Sequence, residues 1–212
     1  PDAAPLSAKS IKNIHGVLHK ALKQAVLIGY LRTNPTEACI LPRIIRKEMH
    51  PLEEDQVAVF LREVQGHPHE YLYKIALFTG LREGEVLGLG WEHIDFQAGT
   101  LTVKRQLRRE QKKGGEYYFS PPKNNKSRCL TLAPSVIQLF RLQKLEQNSM
   151  RMEAGDAWEE HGLIFTNQTG GYLSYRTVYD CFKRIIRNIG APATRFHDLR
   201  HTFAVASIKK RQ

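Results

Sequence analysis

The chain has 212 residues, 42% of them apolar and 25% charged, proportions that exclude a disordered or collagen-like chain. Lys and Arg number 32 against 21 Asp and Glu, which leaves a net charge of +11. Such an excess repels itself unless an anion offsets it, so nucleic acid is the leading partner class, with an ordinary basic soluble protein as the plain alternative.

In chain order, Ser10 to Leu31 reads as one helix. Ile11, Ile14, Leu18, Leu22, Ala25 and Ile28 recur at helical spacing, while Lys9, Lys12, Lys20 and Lys23 lie elsewhere. One long helix cannot bury its own apolar face, so residues 1–40 read as the end of a small helical domain. Asn34-Pro35 is expected to end the helical region. LPRIIRKEMHP, residues 41–51, has a Pro near each end and no clean period. It reads as a basic linker carrying Arg43, Arg46 and Lys47.

A second domain, residues 52–212, follows. Leu52 to Val64 is predicted to be a helix with acidic residues in its first turn, which suits the helix dipole. Tyr71 to Phe78 is a second, mostly apolar helix, broken by Thr79-Gly80, and Glu83 to Leu89 starts another. Ile94 to Phe96, a turn at Gln97-Ala98-Gly99 and Thr100 to Leu107 then resemble a hairpin. Tyr117 to Phe119 and Arg128 to Leu132 are further strand-like runs. Pro134 to Gln147 reads as a helix with an early proline, and residues 148–160 as irregular. Ser174 is placed as the N-cap of a helix ending at Asn188, and the last helix runs from about His197 to Ile208. The expected fold class is mainly α with one small antiparallel β-sheet (α+β).

Charge is clustered along this order. Lys104 to Arg128 holds nine Lys/Arg and two Glu, and Lys183 to the end holds eight Lys/Arg and one Asp. No amphipathic helix with aromatic anchors accompanies the clusters, so DNA or RNA is favoured over a membrane surface. No signal-peptide pattern opens the sequence, and no apolar run approaches membrane-spanning length. Cys39, Cys129 and Cys181 are odd in number and far apart, as expected of free thiols in a reducing compartment such as the cytoplasm.

Three short stretches can carry chemistry. ALFTGLREGEVLGL sets Arg82 just after a glycine break between two apolar helices, where it can serve a site or simply pair with Glu83 or Glu85. SPPKNNKSRCLTL reads as a polar turn with Lys123 and Lys126, either a solvated hairpin tip or a basic tip that reaches a phosphate backbone. FHDLRH puts His197, Arg200 and His201 at the start of a helix, where His197 and Arg200 share a face and the N-terminus favours an anion. HDLRH is also one residue from a zinc-hydrolase HExxH, but Asp198 stands where that motif needs Glu, and no third ligand is evident. His15 and His19 repeat the same spacing on another helix. No metal is expected.

Taken together, TGLREGE with Arg82, PPKNNKSR with Lys123 and HDLRH with His197 and Arg200 resemble the tyrosine recombinases, the phage integrases and their relatives on transposons. The details look closest to integrases of conjugative transposons. The resemblance implies a catalytic domain preceded by part of a core-binding domain. It further implies integration or excision of a mobile element through a 3′-phosphotyrosyl DNA intermediate, with no metal or nucleotide cofactor. Arg82 and Arg200 would clamp the phosphate, Lys123 would protonate the 5′ leaving oxygen, and His197 would assist as acid–base partner. Lys126 is the second candidate in the turn and is otherwise a phosphate contact. Lys12, Lys20, Arg43, Arg46, Lys47, Lys126 and Arg128 are the expected DNA contacts. The partner is duplex DNA, bound by a homo-oligomer of up to four copies. In the family the nucleophilic Tyr lies downstream of the His-x-x-Arg motif. No Tyr follows Arg200 here, so the 212 residues are expected to bind DNA without cleaving it. The alternative is a DNA-binding module that keeps the pocket but performs no chemistry.

Overall fold

The computed structural model describes residues 5–45, 49–112 and 114–209. The chain divides into two compact units, residues 1–48 and 49–212.

The first unit is built on helix α1 (Ala8–Leu27), whose Ser7 cap accepts a hydrogen bond from the Ser10 amide at 3.1 Å. None of its residues is buried, and Val17 and Leu27 are each 72% exposed, as expected of a helix whose apolar face finds too little to cover it. The helix stops earlier than expected, before a turn in which Gly29 adopts φ 83°. Asn34 does not end helical structure but opens a short 3₁₀ turn, Pro35–Ala38, by accepting from the Thr36 amide. That turn is clipped to α1: His15 meets the Thr36 carbonyl oxygen at 3.0 Å and His19 the Thr36 hydroxyl at 2.9 Å. The repeated His spacing on α1 is therefore used for internal structure.

The second unit carries the core. Helices α2 (Glu54–Glu63), α3 (Glu70–Thr79) and α4 (Glu83–Leu87) come first, followed by strands β1 (Ile94–Asp95), β2 (Thr100–Val103), β3 (Gln106–Arg109), β4 (Tyr117–Ser120) and β5 (Arg128–Thr131). Helices α5 (Pro134–Ala154), α6 (Tyr175–Asn188) and α7 (Asp198–Lys209) complete it. This is the expected mainly helical α+β class. Helix α3 packs against both α5 and α7, and α2 against α6. Phe60, Tyr73, Phe182 and Phe196 form the aromatic centre, and the Tyr73 hydroxyl donates to the Val178 carbonyl at 2.8 Å, which satisfies its polar end in the core.

Two expectations are corrected. The β residues form two small antiparallel sheets, β1-β2-β5 and β3-β4, rather than one. The chain leaves the first sheet at Lys104-Arg105, where the Arg105 Nε–H donates to the Gly88 carbonyl instead of joining a ladder. The Lys123–Lys126 turn therefore connects two sheets and is not the tip of a hairpin. Helix α5 also continues through seven residues expected to be irregular. NSMRMEA contains good helix formers, and the helix ends only where Gly155 adopts φ 51°.

Candidate active site

The site begins with the way α3 ends. Gly80 takes the left-handed conformation, φ 61°, that terminates the helix and turns the chain toward Arg82, which stands at the N-cap of α4. A Cβ at Gly80 would come within 2.7 Å of the Phe203 ring on α7, so the residue is small for packing as well as for its backbone. Helix α4 lies close on β3. Cβ atoms at Gly84 and Gly88 would meet the Tyr175 hydroxyl at 2.2 Å and the Leu107 amide nitrogen at 2.7 Å. Gly84 and Gly88 thus let β3 and the Tyr175 side chain approach the helix.

One carboxylate organises the arginines. Glu85 is 1% exposed. Its Oε2 accepts from the Arg82 amide at 2.9 Å and its Oε1 from Arg82 Nη1 at 2.8 Å. From β5, Arg128 approaches the same group with a fork: Nη1 to Oε1 at 2.9 Å and Nη2 to Oε2 at 2.6 Å. Burial opposes the charge on Glu85, but the hydrogen bonds from Arg128 and Arg82 outweigh it and hold the carboxyl at about 2.

The second arginine motif is tied to the first. Arg200 Nη1 donates to the Gly80 carbonyl at 2.6 Å, across 120 positions of sequence. Burial lowers the Arg200 pKa, and the charges of Arg82 and Arg128 lower it further. Three guanidiniums therefore feel one another around a single carboxylate. His197 belongs to the same cluster: burial, then His201, Arg200 and Arg82, push its pKa down and favour the neutral imidazole. Its ring meets that of His201 edge-on at 5.2 Å. Asp198, fully buried, is held by a two-point bond from Arg195 and by the Arg195 amide at 2.9 Å, so it anchors the start of α7 rather than acting as a base. Among the described residues, no group of three His, Cys, Asp or Glu side chains is placed to hold a metal ion.

The structure thus brings together Arg82, His197 and Arg200, and adds Glu85, which sequence reasoning had considered only as a surface partner for Arg82. Arg128 is drawn into the same cluster. Lys123 and Lys126 stand exposed in the turn between β4 and β5. The turn is fixed at both ends, by Gln106 Nε2 donating to the Pro121 carbonyl at 2.7 Å and by the Arg128–Glu85 fork, and Asn125 adopts φ 51° at its bend. In the first unit Lys20 and Arg43 are exposed and Lys12 is half-buried, while Arg46 and Lys47 lie outside the described residues. The Tyr175 hydroxyl donates to the Leu107 carbonyl, and burial raises its pKa, so this phenol is a packing group.

Comparison with known proteins agrees with this arrangement. The model of the phage integrase family matches residues 50–211. A tyrosine recombinase XerC-like protein of Caldanaerobacter subterraneus subsp. tengcongensis is 28% identical over 93% of this chain and 55% of its own length. An integrase of Streptomyces ambofaciens is 28% identical over 95% of this chain and 53% of its own length. The chain spans about half the length of the curated relatives it matches. Among solved structures, the Tn1549 transposon integrase in complex with transposon right end DNA superposes with a TM-score of 0.81 at 24% identity, over 98% of this chain and 69% of that one. The same integrase in complex with a circular intermediate DNA gives 0.77 at 25% identity, over 93% and 66%. With the family match running through both arginine motifs and the carboxylate between them, the chain belongs to the phage integrase family of tyrosine recombinases.

Proposed function

We propose that this chain is the DNA-cleaving part, with the end of the core-binding part, of a site-specific recombinase that integrates or excises a mobile element. It would act on duplex DNA in the cytoplasm of a bacterial host, as a homo-oligomer of up to four copies. The observation that carries the reading is the pairing of Arg82 and Arg128 with the buried Glu85, with Arg200 bonded to the Gly80 carbonyl two residues before Arg82. Such a group carries positive charge in excess of its one carboxylate, which is what a phosphodiester gathering negative charge on its non-bridging oxygens requires. Arg82 and Arg200 clamp those oxygens. His197, kept neutral, hydrogen-bonds to the phosphate or relays a proton. Lys123, on its turn, protonates the 5′ leaving oxygen, with Lys126 on the backbone. Attack by a tyrosine would join the DNA 3′ phosphate covalently and retain the bond for rejoining. The Tyr175 hydroxyl is engaged by the Leu107 carbonyl, so that phenol is not free to attack.

The second reading is a DNA-binding module that keeps the pocket and does no chemistry. Covalent trapping separates the two. The chain is mixed with an end-labelled duplex bearing its attachment site and a nick that lets the leaving fragment diffuse away, then run on a denaturing gel. The 212-residue chain is expected to bind the duplex in a salt-sensitive manner and form no adduct. A form carrying the family's downstream tyrosine is expected to form one, and to lose it on Arg82→Lys with little loss of binding. No adduct from that longer form would establish the non-catalytic module, and absence of salt-sensitive duplex binding would overturn both readings.

A further inference from the structure

Arg128 was grouped above with the expected DNA contacts, yet its fork is turned inward. Both Nη atoms are engaged by the two oxygens of Glu85, at 2.9 and 2.6 Å, across 43 positions of sequence. Arg82 reaches the same carboxylate through one Nη atom and its backbone amide. The backbone of Arg128 is fixed by the β5 ladder, where it pairs with Val103 on β2. Glu85 is likewise fixed on α4 and 1% exposed. The pair therefore joins two rigid elements and leaves little freedom to either head group.

We infer that Arg128 is a positioning residue, which takes up the charge and both oxygens of Glu85 so that Arg82 keeps its own charge and its remaining donors for a DNA phosphate. The inference rests on the DNA-binding reading of the site. A carboxylate facing Arg82 alone would neutralise it as a forked ion pair and turn its N–H groups away from substrate. With Arg128 present, Glu85 steers Arg82 through one bond and the backbone amide without cancelling it. Arg200, held separately by the Gly80 carbonyl, does not compete for the carboxylate. Arg128 is then needed for phosphate binding without touching the phosphate.

The test is a double-mutant cycle on binding of one fixed duplex at one salt concentration, read by fluorescence anisotropy, with thermal unfolding recorded for every variant. Arg128→Gln is expected to weaken binding roughly tenfold, within the coupling range of contacting residues. In an Arg82→Gln background the same change is expected to do nothing further, because the residue it acts through is gone. Glu85→Gln combined with Arg128→Gln is expected to recover most of the loss, since no carboxylate is left to neutralise Arg82. If Arg128 touches the DNA itself, the losses from Arg82→Gln and Arg128→Gln multiply, because each removes its own contact. If Arg128 only supports the fold, the loss persists in the Arg82→Gln background together with a lowered melting temperature. Either result overturns the inference. Failure of the unsubstituted chain to bind duplex DNA would instead remove the functional reading on which it rests. Should Arg128→Gln not fold, Arg128→Lys takes its place: it keeps the charge but not the fork, and is expected to weaken binding in the parent and not in the Arg82→Gln background.

Discussion

The arginine centre and the lysine turn are both basic and adjacent in the fold, yet they are held in opposite ways. Arg82, Arg128 and Arg200 are fixed from within, by a buried carboxylate and a backbone carbonyl that belong to helices and strands with core anchors. Lys123 and Lys126 are fixed only through the ends of their turn, and their ammonium groups stand in solvent. The difference teaches a division of labour. On the proposed function, planar, forked cations would be preorganised where charge is bound in one geometry, and a flexible point charge would be left free where a proton is carried to a moving oxygen.

The sharpest way to break this comparison is to remove the carboxylate. Glu85→Ala leaves two partly exposed guanidiniums facing each other and should cost about 3 kcal/mol in urea unfolding, toward the low end for a broken buried pair because solvent screens both arginines. The same group sets an acid profile. Its folded pKa of about 2 lies below the ordinary 4.5, so its contribution is complete above pH 4.5 and is lost as pH falls from there toward 2. The Glu85→Ala protein should lack that segment of the stability curve.

A neighbour two positions away should behave in the opposite sense. Burial pushes Glu83 up to about 7, and its Oε1 has no hydrogen-bond partner among the described residues. The folded state then holds a proton that the unfolded state releases, so stability falls as pH rises from 4.5 to 7. Glu83→Gln should stabilise the protein by about 1–2 kcal/mol at pH 8 and leave it nearly unchanged at pH 4, measured by thermal unfolding across pH.

The smallest expected effect lies in the turn. Lys123→Ala and Lys126→Ala should each change stability by less than about 0.5 kcal/mol, as exposed substitutions do. In a form that cleaves DNA, Lys123→Ala should nevertheless slow cleavage by about 10²–10⁴, the scale of a lost general acid. If Lys126→Ala shows that loss instead, the proton donor is reassigned within the turn and the comparison between turn and centre stands.

What could be read in the sequence follows the range of the interactions. An apolar run broken by Thr79-Gly80 located α3, and the Ser174 cap located α6, each to within a residue or two, because these signals are local. Arg82, His197 and Arg200 were legible as motifs, and the structure does gather them. The role of Arg128 was not. Its partner lies 43 residues away, and no local pattern in one sequence records such a pairing. Glu85 had been weighed only as a neighbour of Arg82, since spacing alone does not tell an exposed pair from a buried one. The second sheet was missed for a similar reason: strand-like composition marks residues that suit a pleated surface, not which strand each will join. The continuation of α5 was missed because its last seven residues form a helix by propensity, with no apolar stripe to announce it.

The bond from Arg200 to the Gly80 carbonyl also has a history in time. A ribosome adding roughly 5–20 residues each second needs roughly 6–24 s to travel from one end of that bond to the other. Throughout that interval Arg82 is already made, and α3 and α4 can already begin to pack, while the Gly80 carbonyl waits for its donor. A longer delay, across 150 positions, applies to the Leu52 amide, which waits for the hydroxyl of Thr202. A nascent chain stalled before position 200 holds Arg82 but lacks the guanidinium that ties α7 to the end of α3.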